Sequence, residues 1–200
     1  SVERVTVQPE GSKQSSEGPL LVTHWGLSGP AILKLSAFAA LELAEKQYRF
    51  NIRINWIQET ADEAKAKLTD AKQTQPKKNL LNFCPFPLPA RFWKSCIAFA
   101  GIREDKKYAD LSKEDIRELA QLLTACILSA DGKSTNKDEF VTAGGIDLKE
   151  VDFKSMQSRL FPRLYFAGEV LNIDAVTGGF NFQAAWTTGH IAGVHMAENA

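Results

Sequence analysis

From Tyr48 to Trp56 the chain alternates apolar and polar side chains without interruption. A strand of period two therefore puts Tyr48, Phe50, Ile52, Ile54 and Trp56 on one face. After Trp56 the period changes. Thr60 with Glu63 has the spacing of a capping box for a helix to about Gln73. Pro85, Pro87 and Pro89 enforce an extended link, followed by a helix from about Ala90 to Ala100 with Phe92, Cys96 and Phe99 on one side. Ser112 with Asp115 opens a third helix, whose Ile116, Leu119, Ala120, Leu123, Cys126 and Ile127 form an apolar stripe. A strand-rich segment followed by a helical one predicts an α+β chain.

The N-terminal part supports a β-rich domain. Val2 to Gln8 alternates loosely and ends at Pro9, Gly11 to Gly18 reads as a mobile hairpin loop, and Leu20 to Thr23 is the returning strand. Ser28 suits a helix cap and Pro30 the first turn, and Ile32, Leu35, Phe38, Ala39 and Leu43 carry the helix to about Lys46. Strand-like character resumes at Glu139 to Thr142. The predicted organisation is a β-rich partial barrel over 1–56 and 136–160, a small helical domain inserted at 57–135, and a separate strand-turn-helix at 161–200.

In that last segment, Leu164 to Glu169 reads as a buried strand, and Thr177-Gly178-Gly179-Phe180-Asn181 reads as a tight turn opening a helix. Ala184, Ala185, Gly189, Ala192 and Gly193 keep that helix thin enough for close packing on a sheet. A helix start offers unpaired N–H groups and the positive end of a dipole, which is the layout of a cradle for an anionic ligand. Taken alone, the spacing fits an ordinary strand-turn-helix unit equally well.

Four motifs occur in order: Thr23-His24-Trp25-Gly26-Leu27-Ser28-Gly29-Pro30, Val141-Thr142-Ala143-Gly144-Gly145-Ile146, the Tyr165 to Glu169 segment, and Thr177 to Asn181. Together they resemble the YhiN-like family of FAD-binding flavoproteins. The resemblance implies an FAD cofactor, with Gly168 and Glu169 beside its ribityl and phosphate groups and Gly178, Gly179, Phe180 and Asn181 along the isoalloxazine ring. Asp174 is the other carboxylate of the cradle, and the general acid or base is left unassigned. Phe180 stands where Tyr is common in the family, which removes a hydroxyl but keeps a ring. The family also implies an N-terminal βαβ unit with a Gly-x-Gly-x-x-Gly turn for the pyrophosphate. None of the 13 glycines forms a Gly-x-Gly pair, so the chain is expected to be the C-terminal portion of a longer flavoprotein, to bind FAD weakly by itself, and to complete its site with the missing N-terminal FAD-binding region.

The resemblance implies substrates as different as small amines and uridine in ribosomal RNA. Formal net charge is zero, which argues against a globally basic nucleic-acid binder. Between Ala64 and Lys107, however, 10 basic residues face 3 acidic ones. That segment is either a solvated helical face or a footprint for phosphates. The expected function is thus part of an FAD-dependent oxidoreductase acting on a small molecule or RNA. The alternative is an RNA- or protein-binding module without catalysis of its own.

Other motifs fail on spacing. Gly26-Leu27-Ser28-Gly29 lacks the Gly-x-Ser-x-Gly of a nucleophile elbow. Gly132-Lys133-Ser134 lacks the upstream glycine of a phosphate loop, since Ile127 stands there. Asp131 to Glu139 lacks the ligands of a calcium loop. His190 and His195 do not share a helix face, and Cys84, Cys96 and Cys126 suggest neither disulfides nor zinc, so no metal is expected. His24 is either a proton donor or substrate ligand at the site, or a residue that orders its loop. With no apolar run long enough to span a bilayer and no signal-peptide core, the expected setting is cytoplasmic, without a membrane partner.

Overall fold

A computed structural model describes residues 1–133, 141–176 and 178–199. The chain is α+β and divides into two compact units, one of residues 1–35 and 46–132, the other of residues 36–45 and 133–200. No helix among the described residues is long and apolar enough to cross a membrane.

The first unit is built on an antiparallel sheet. Strand β1 (Val2–Pro9) pairs with β2 (Ser16–Val22), which pairs with β3 (Leu27–Ser28). On the other side, β1 pairs with β4 (Arg49–Asn55), with Val7 opposite Ile54. Alternation puts Val5, Val7, Leu20, Ile52 and Ile54 into the core. The connection between β1 and β2 is shorter than predicted, because β2 begins at Ser16. It is also tied down, since Gln8 Nε2 donates to the Ser12 carbonyl at 2.8 Å and Ser12 Oγ accepts from Gln14 N–H at 3.0 Å.

The helix expected from Ser28 to Lys46 is two helices, α1 (Pro30–Phe38) and α2 (Ala40–Glu45), and neither Gly nor Pro marks the break. Ser28 is not the cap, since it pairs with Leu21 in the sheet and the Gly29 carbonyl accepts from Ile32 and Leu33 N–H, both at 3.0 Å.

Both predicted capping boxes form. Helix α3 (Ala61–Thr74) starts at Thr60 with Glu63, α4 (Ala90–Phe99) follows the proline link, and α5 (Lys113–Ala125) starts at Ser112 with Asp115. Helices α3 and α5 pack together through Ala64, Leu68, Ala71, Leu119, Ala120 and Leu123. The buried face of α4 is Trp93, Cys96 and Ile97. Phe92 is half-buried with its ring 4.6 Å from that of Trp56, and Phe99 is 72% exposed.

The largest correction falls at the end of α5. The stripe through Cys126 and Ile127 is not helical, because Cys126–Asp131 is a strand, β5, antiparallel to β4 with Arg49 opposite Asp131. The sheet order is β3-β2-β1-β4-β5. Strand β5 satisfies the outer backbone groups of β4, which a continued helix would leave unpaired. The predicted return to strand at 139–142 falls largely outside the described residues, which exclude Glu139.

Asp115 links capping to pH. Its carboxylate accepts from Ser112 N–H at 2.7 Å and from Lys106 Nζ at 2.6 Å. Burial, the largest single influence, pushes this carboxyl up, but the hydrogen bonds from Lys106 and Ser112 together outweigh it and hold it below the usual carboxylate range. A carboxylate depressed on folding contributes stability above its unfolded pKa, near about 4, and loses it as pH falls through the folded value. Asp115→Asn is expected to cost about 1 kcal/mol at pH 7 through the cap and to flatten the acid limb of the stability profile. Urea midpoints measured from pH 2 to 7 check this. An acid limb as steep as that of the unsubstituted chain would rule Asp115 out as its source.

The second unit has the short pair β6 (Val151–Asp152) and β7 (Gln157–Ser158) and the long helix α6 (Phe180–Glu198) around a core of Val151, Met156, Leu171 and Ala192. The predicted strand at Leu164–Glu169 is reduced to a single antiparallel bridge of Tyr165 with Gln157, and Gly168–Val170 is a 3₁₀ turn. Among the described residues this segment meets no second strand to propagate a ladder.

Candidate functional site

Two glycine-dependent features position the candidate site, and the first is a backbone crossing. Gly145 has φ +137°, and a Cβ built there would lie 2.6 Å from the Val170 carbonyl oxygen and 2.7 Å from the Leu171 carbonyl carbon. The closeness lets Ile146 N–H donate to the Val170 carbonyl at 2.9 Å and Asn172 N–H donate to the Ile146 carbonyl at 3.1 Å. The crossing holds the segment after Val141 against the residues that follow Gly168.

The second feature is the attachment of Gly168 to α6. Gly168 N–H donates to Thr188 Oγ1 at 3.0 Å, and Thr188 donates in turn to the Ala184 carbonyl at 2.7 Å. Thr188 is buried, so it fixes the 3₁₀ turn to the helix.

Between these elements lies a cleft of about 230 Å³ lined by Val141, Thr142, Gly168, Glu169, Ile173, Asn181, Ala184 and Ala185. Three of the predicted residues, Gly168, Glu169 and Asn181, meet in it. Glu169 is exposed at the cleft, and the alanines of α6 give it a shallow apolar side. Asn181 is committed to the backbone on both sides of its amide: Oδ1 accepts from Ala175 N–H at 2.8 Å and Nδ2 donates to the Ala175 carbonyl at 3.1 Å. This double bond pair ties the loop before α6 to the helix start.

The other predicted residues lie off the lining. Asp174, Gly178, Gly179 and Phe180 are exposed, Phe180 by 67%. Thr177 lies outside the described residues. Gly179 occupies the cap position of α6 and has no side chain to cap it, so among the described residues the first-turn N–H groups are offered to an acceptor. Helix α6 buries Thr188 and Ala192 and exposes Phe182 and Trp186, whose rings stack at 6.0 Å.

Sequence reasoning did not assign Thr142, Ile173 or Thr188 to the site. A signal existed for Thr188, because a β-branched hydroxyl residue among the small residues of a helix is suited to bonding back onto the preceding turn. His24 is exposed, and Thr23 is the residue that orders its loop: Thr23 Oγ1 donates to the Gly26 carbonyl at 2.9 Å and accepts from Gly26 N–H at 3.1 Å.

Cys84 and Cys96 belong to the helical part of the first unit, and Cys126 opens β5. Burial pushes the Cys84 thiol up to about 11 and, with neighbouring thiols adding to it, Cys96 to about 12, so neither is a ready nucleophile. No group of three or more potential ligand side chains that could hold a metal occurs among the described residues.

Residues 1–141 match the family model described as "HI0933-like protein barrel and H2TH domain". The chain is 30% identical over 178 residues to a ribosomal RNA dihydrouridine synthase of Haemophilus influenzae, covering 89% of this chain and 42% of that protein. It is 31% identical over 169 residues to a protein of the same name from Escherichia coli, covering 84% and 40%. It is 25% identical over 182 residues to a 3-dehydro-bile acid delta(4,6)-reductase of Clostridium scindens, covering 90% and 44%. The chain thus spans about two fifths of the length of these relatives.

Proposed function

Since the chain belongs to the HI0933-like family, the YhiN-like flavoproteins that its motifs resemble, we propose that it supplies the substrate-side part and the ring-side edge of the flavin site in an FAD-dependent oxidoreductase. The observation that carries this reading is the meeting of Gly168, Glu169 and Asn181 with Val141 and Thr142 in one cleft. The donor set fits a flavin. A helix start whose cap residue is a glycine would favour negative charge at the pyrimidine end of a reduced ring, and small residues would let a flat ring approach backbone.

The flavin supplies the electron chemistry when bound. This chain's residues would fix the ring edge. Thr188 holds Gly168 in place, Asn181 holds the loop at Ala175, and Ala184 and Ala185 leave room for the ring. Glu169, exposed in the lining, would accept a hydrogen bond from a ribityl hydroxyl.

Riboflavin, which carries the ring without the pyrophosphate, is the direct probe of this cleft. Its fluorescence is expected to be quenched saturably by the chain, and Ala184→Leu, which fills the cleft while leaving the backbone bond to Thr188 intact, is expected to weaken binding at least about tenfold, the loss of roughly 1.4 kcal/mol of contact. Equal quenching by both proteins, with unchanged melting curves, would refute the cleft as the ring site.

Two of the three relatives are named for ribosomal RNA and the third for a bile acid, and a nucleic-acid substrate is the more specific version of the reading. A base in RNA must be unstacked to meet a flavin, and its backbone must be held nearby. The basic segment of the helical part supports RNA as the substrate class over a small molecule.

A further inference from the structure

The positive excess between Ala64 and Lys107 is not spread evenly once the chain is folded. Lys65 pairs with Asp62 at 3.1 Å, Lys67 with Glu59 at 2.5 Å, Lys94 with Glu104 at 3.1 Å, Arg103 with Asp105 at 2.5 Å and Lys106 with Asp115 at 2.6 Å. Lys72 donates to the Leu111 carbonyl at 2.5 Å. Among the described residues, Lys77, Lys78, Arg91 and Lys107 have no carboxylate partner, and all four are exposed.

Three of these four are gathered by the backbone. Asn79 and Lys107 form an antiparallel bridge, Tyr108 N–H donates to the Lys78 carbonyl at 3.0 Å, Leu80 N–H to the Lys106 carbonyl at 2.9 Å, and Ala109 N–H to the Pro76 carbonyl at 3.0 Å. Lys77, Lys78 and Lys107 therefore share one corner. Along the chain the nearest carboxylates are Asp105, which is paired with Arg103, and Asp110, in the 3₁₀ turn after Lys107, and the corner keeps a net positive charge.

An open groove of about 460 Å³ adjoins this corner. Phe83, Pro85, Asp70 and Thr74 are among its lining, and Lys78 Nζ stands 5.0 Å from the centre of the Phe83 ring, so one aromatic residue belongs to both features. Cations for phosphates beside an apolar groove with polar edges are the parts of a single-strand binding surface. An acidic protein segment would need the cations but not the groove.

We propose that the corner of Lys77, Lys78 and Lys107 clamps the phosphates of single-stranded RNA, with the groove beside Phe83 receiving an unstacked base. This rests on the reading above that the helical part engages RNA, but it is independent of the flavin cleft, which the riboflavin titration tests by itself.

The test is the affinity of the full chain for a fluorescein-labelled 20-nucleotide single-stranded RNA between 20 and 200 mM salt. Two variants carry the same change in net charge. One is Lys77→Gln/Lys78→Gln/Lys107→Gln, and the other is Lys65→Gln/Lys94→Gln/Arg103→Gln, which removes ion-paired cations. Each phosphate contact to a single strand contributes about 0.7 to the slope of log affinity against log salt, so the corner variant is expected to lower the slope by about 2 and the affinity at least tenfold, and the paired variant to change little. Equal losses in both variants would show a diffuse field instead of a clamp. No RNA binding at 20 mM salt, a duplex of the same sequence bound as tightly as the single strand, or polyglutamate bound with the same lysine dependence would each overturn the proposal. Circular dichroism melts of both variants confirm that the fold is retained.

Discussion

Replacing Gly145 by alanine is expected to destabilise the C-terminal unit by about 3 kcal/mol, because two penalties fall on one methyl group. The φ of +137° is rarely adopted by a residue with a side chain, and the added Cβ would sit 2.6 to 2.8 Å from backbone atoms of Val170, Leu171 and Asn172. Two of those atoms, the Val170 oxygen and the Asn172 nitrogen, are the partners of the two hydrogen bonds at Ile146, so they cannot retreat without breaking them. Gly144→Ala separates the two penalties. Its φ is +107° but nothing lies within 4 Å of its added Cβ, so conformational strain of about 1 kcal/mol is all it should cost. Amide hydrogen exchange at Ile146 and Asn172 reads the difference. Protection should fall about a hundredfold in Gly145→Ala and about fivefold in Gly144→Ala. Similar losses in the two variants would mean that the crossing at Gly145 is looser than these contacts require. Because the same crossing brings Val141 and Thr142 to the cleft, Gly145→Ala should weaken riboflavin quenching as well.

The features legible in the sequence were those whose cause is local. Both capping boxes need only a side chain and a backbone N–H three residues apart, and both form at the predicted residues. The alternation of β4 needed only its own nine-residue pattern. The errors have a common physical origin in partners distant along the chain. Cys126, Leu128 and Ala130 alternate with the more exposed Ile127, Ser129 and Asp131 in β5, yet the run continues an apolar helix stripe equally well, and the free edge of β4 decides between them. In α4 the spacing of Phe92, Cys96 and Phe99 is as helical as that of Trp93, Cys96 and Ile97. A stripe of helical period fixes that a helix has a face, while the surface it packs on fixes which face it is.

The candidate site divides in the same way. Gly168, Glu169 and Asn181 could be named from motif order, but the bond from Gly168 to Thr188 and the amide pairing of Asn181 with Ala175 exist only after the chain has closed on itself. Local pattern also leaves the pairing of the charges open. The sequence counts cations, whereas the fold removes Lys65, Lys67, Lys94, Arg103 and Lys106 from circulation by pairing them. Three of the four cations without a carboxylate partner, Lys77, Lys78 and Lys107, gather at one corner, which is where the footprint reading is proposed.

Trp93→Ala is expected to be the most destabilising substitution in the helical part, at about 4 kcal/mol. Trp93 is fully buried, its ring packs beside Phe86 at 6.2 Å, and its Nε1–H donates to the Leu80 carbonyl at 2.7 Å. Removing it leaves both a cavity and a carbonyl without its donor. Trp93→Phe keeps most of the volume and deletes only the donor, so it should cost about 1–3 kcal/mol. Urea denaturation followed by far-UV circular dichroism measures both, and Phe and Ala variants of equal stability would show that packing contributes little there. The bond has a further consequence, because Leu80 is held on its other side by its N–H to the Lys106 carbonyl. Trp93 thus anchors from beneath the same pair of segments that gathers Lys77, Lys78 and Lys107. Trp93→Phe, folded at 25 °C but lacking this anchor, should weaken single-stranded RNA binding while leaving riboflavin quenching by the other unit unaffected. A variant that lost stability yet bound RNA with an unchanged salt slope would show that the corner holds its shape without the tryptophan.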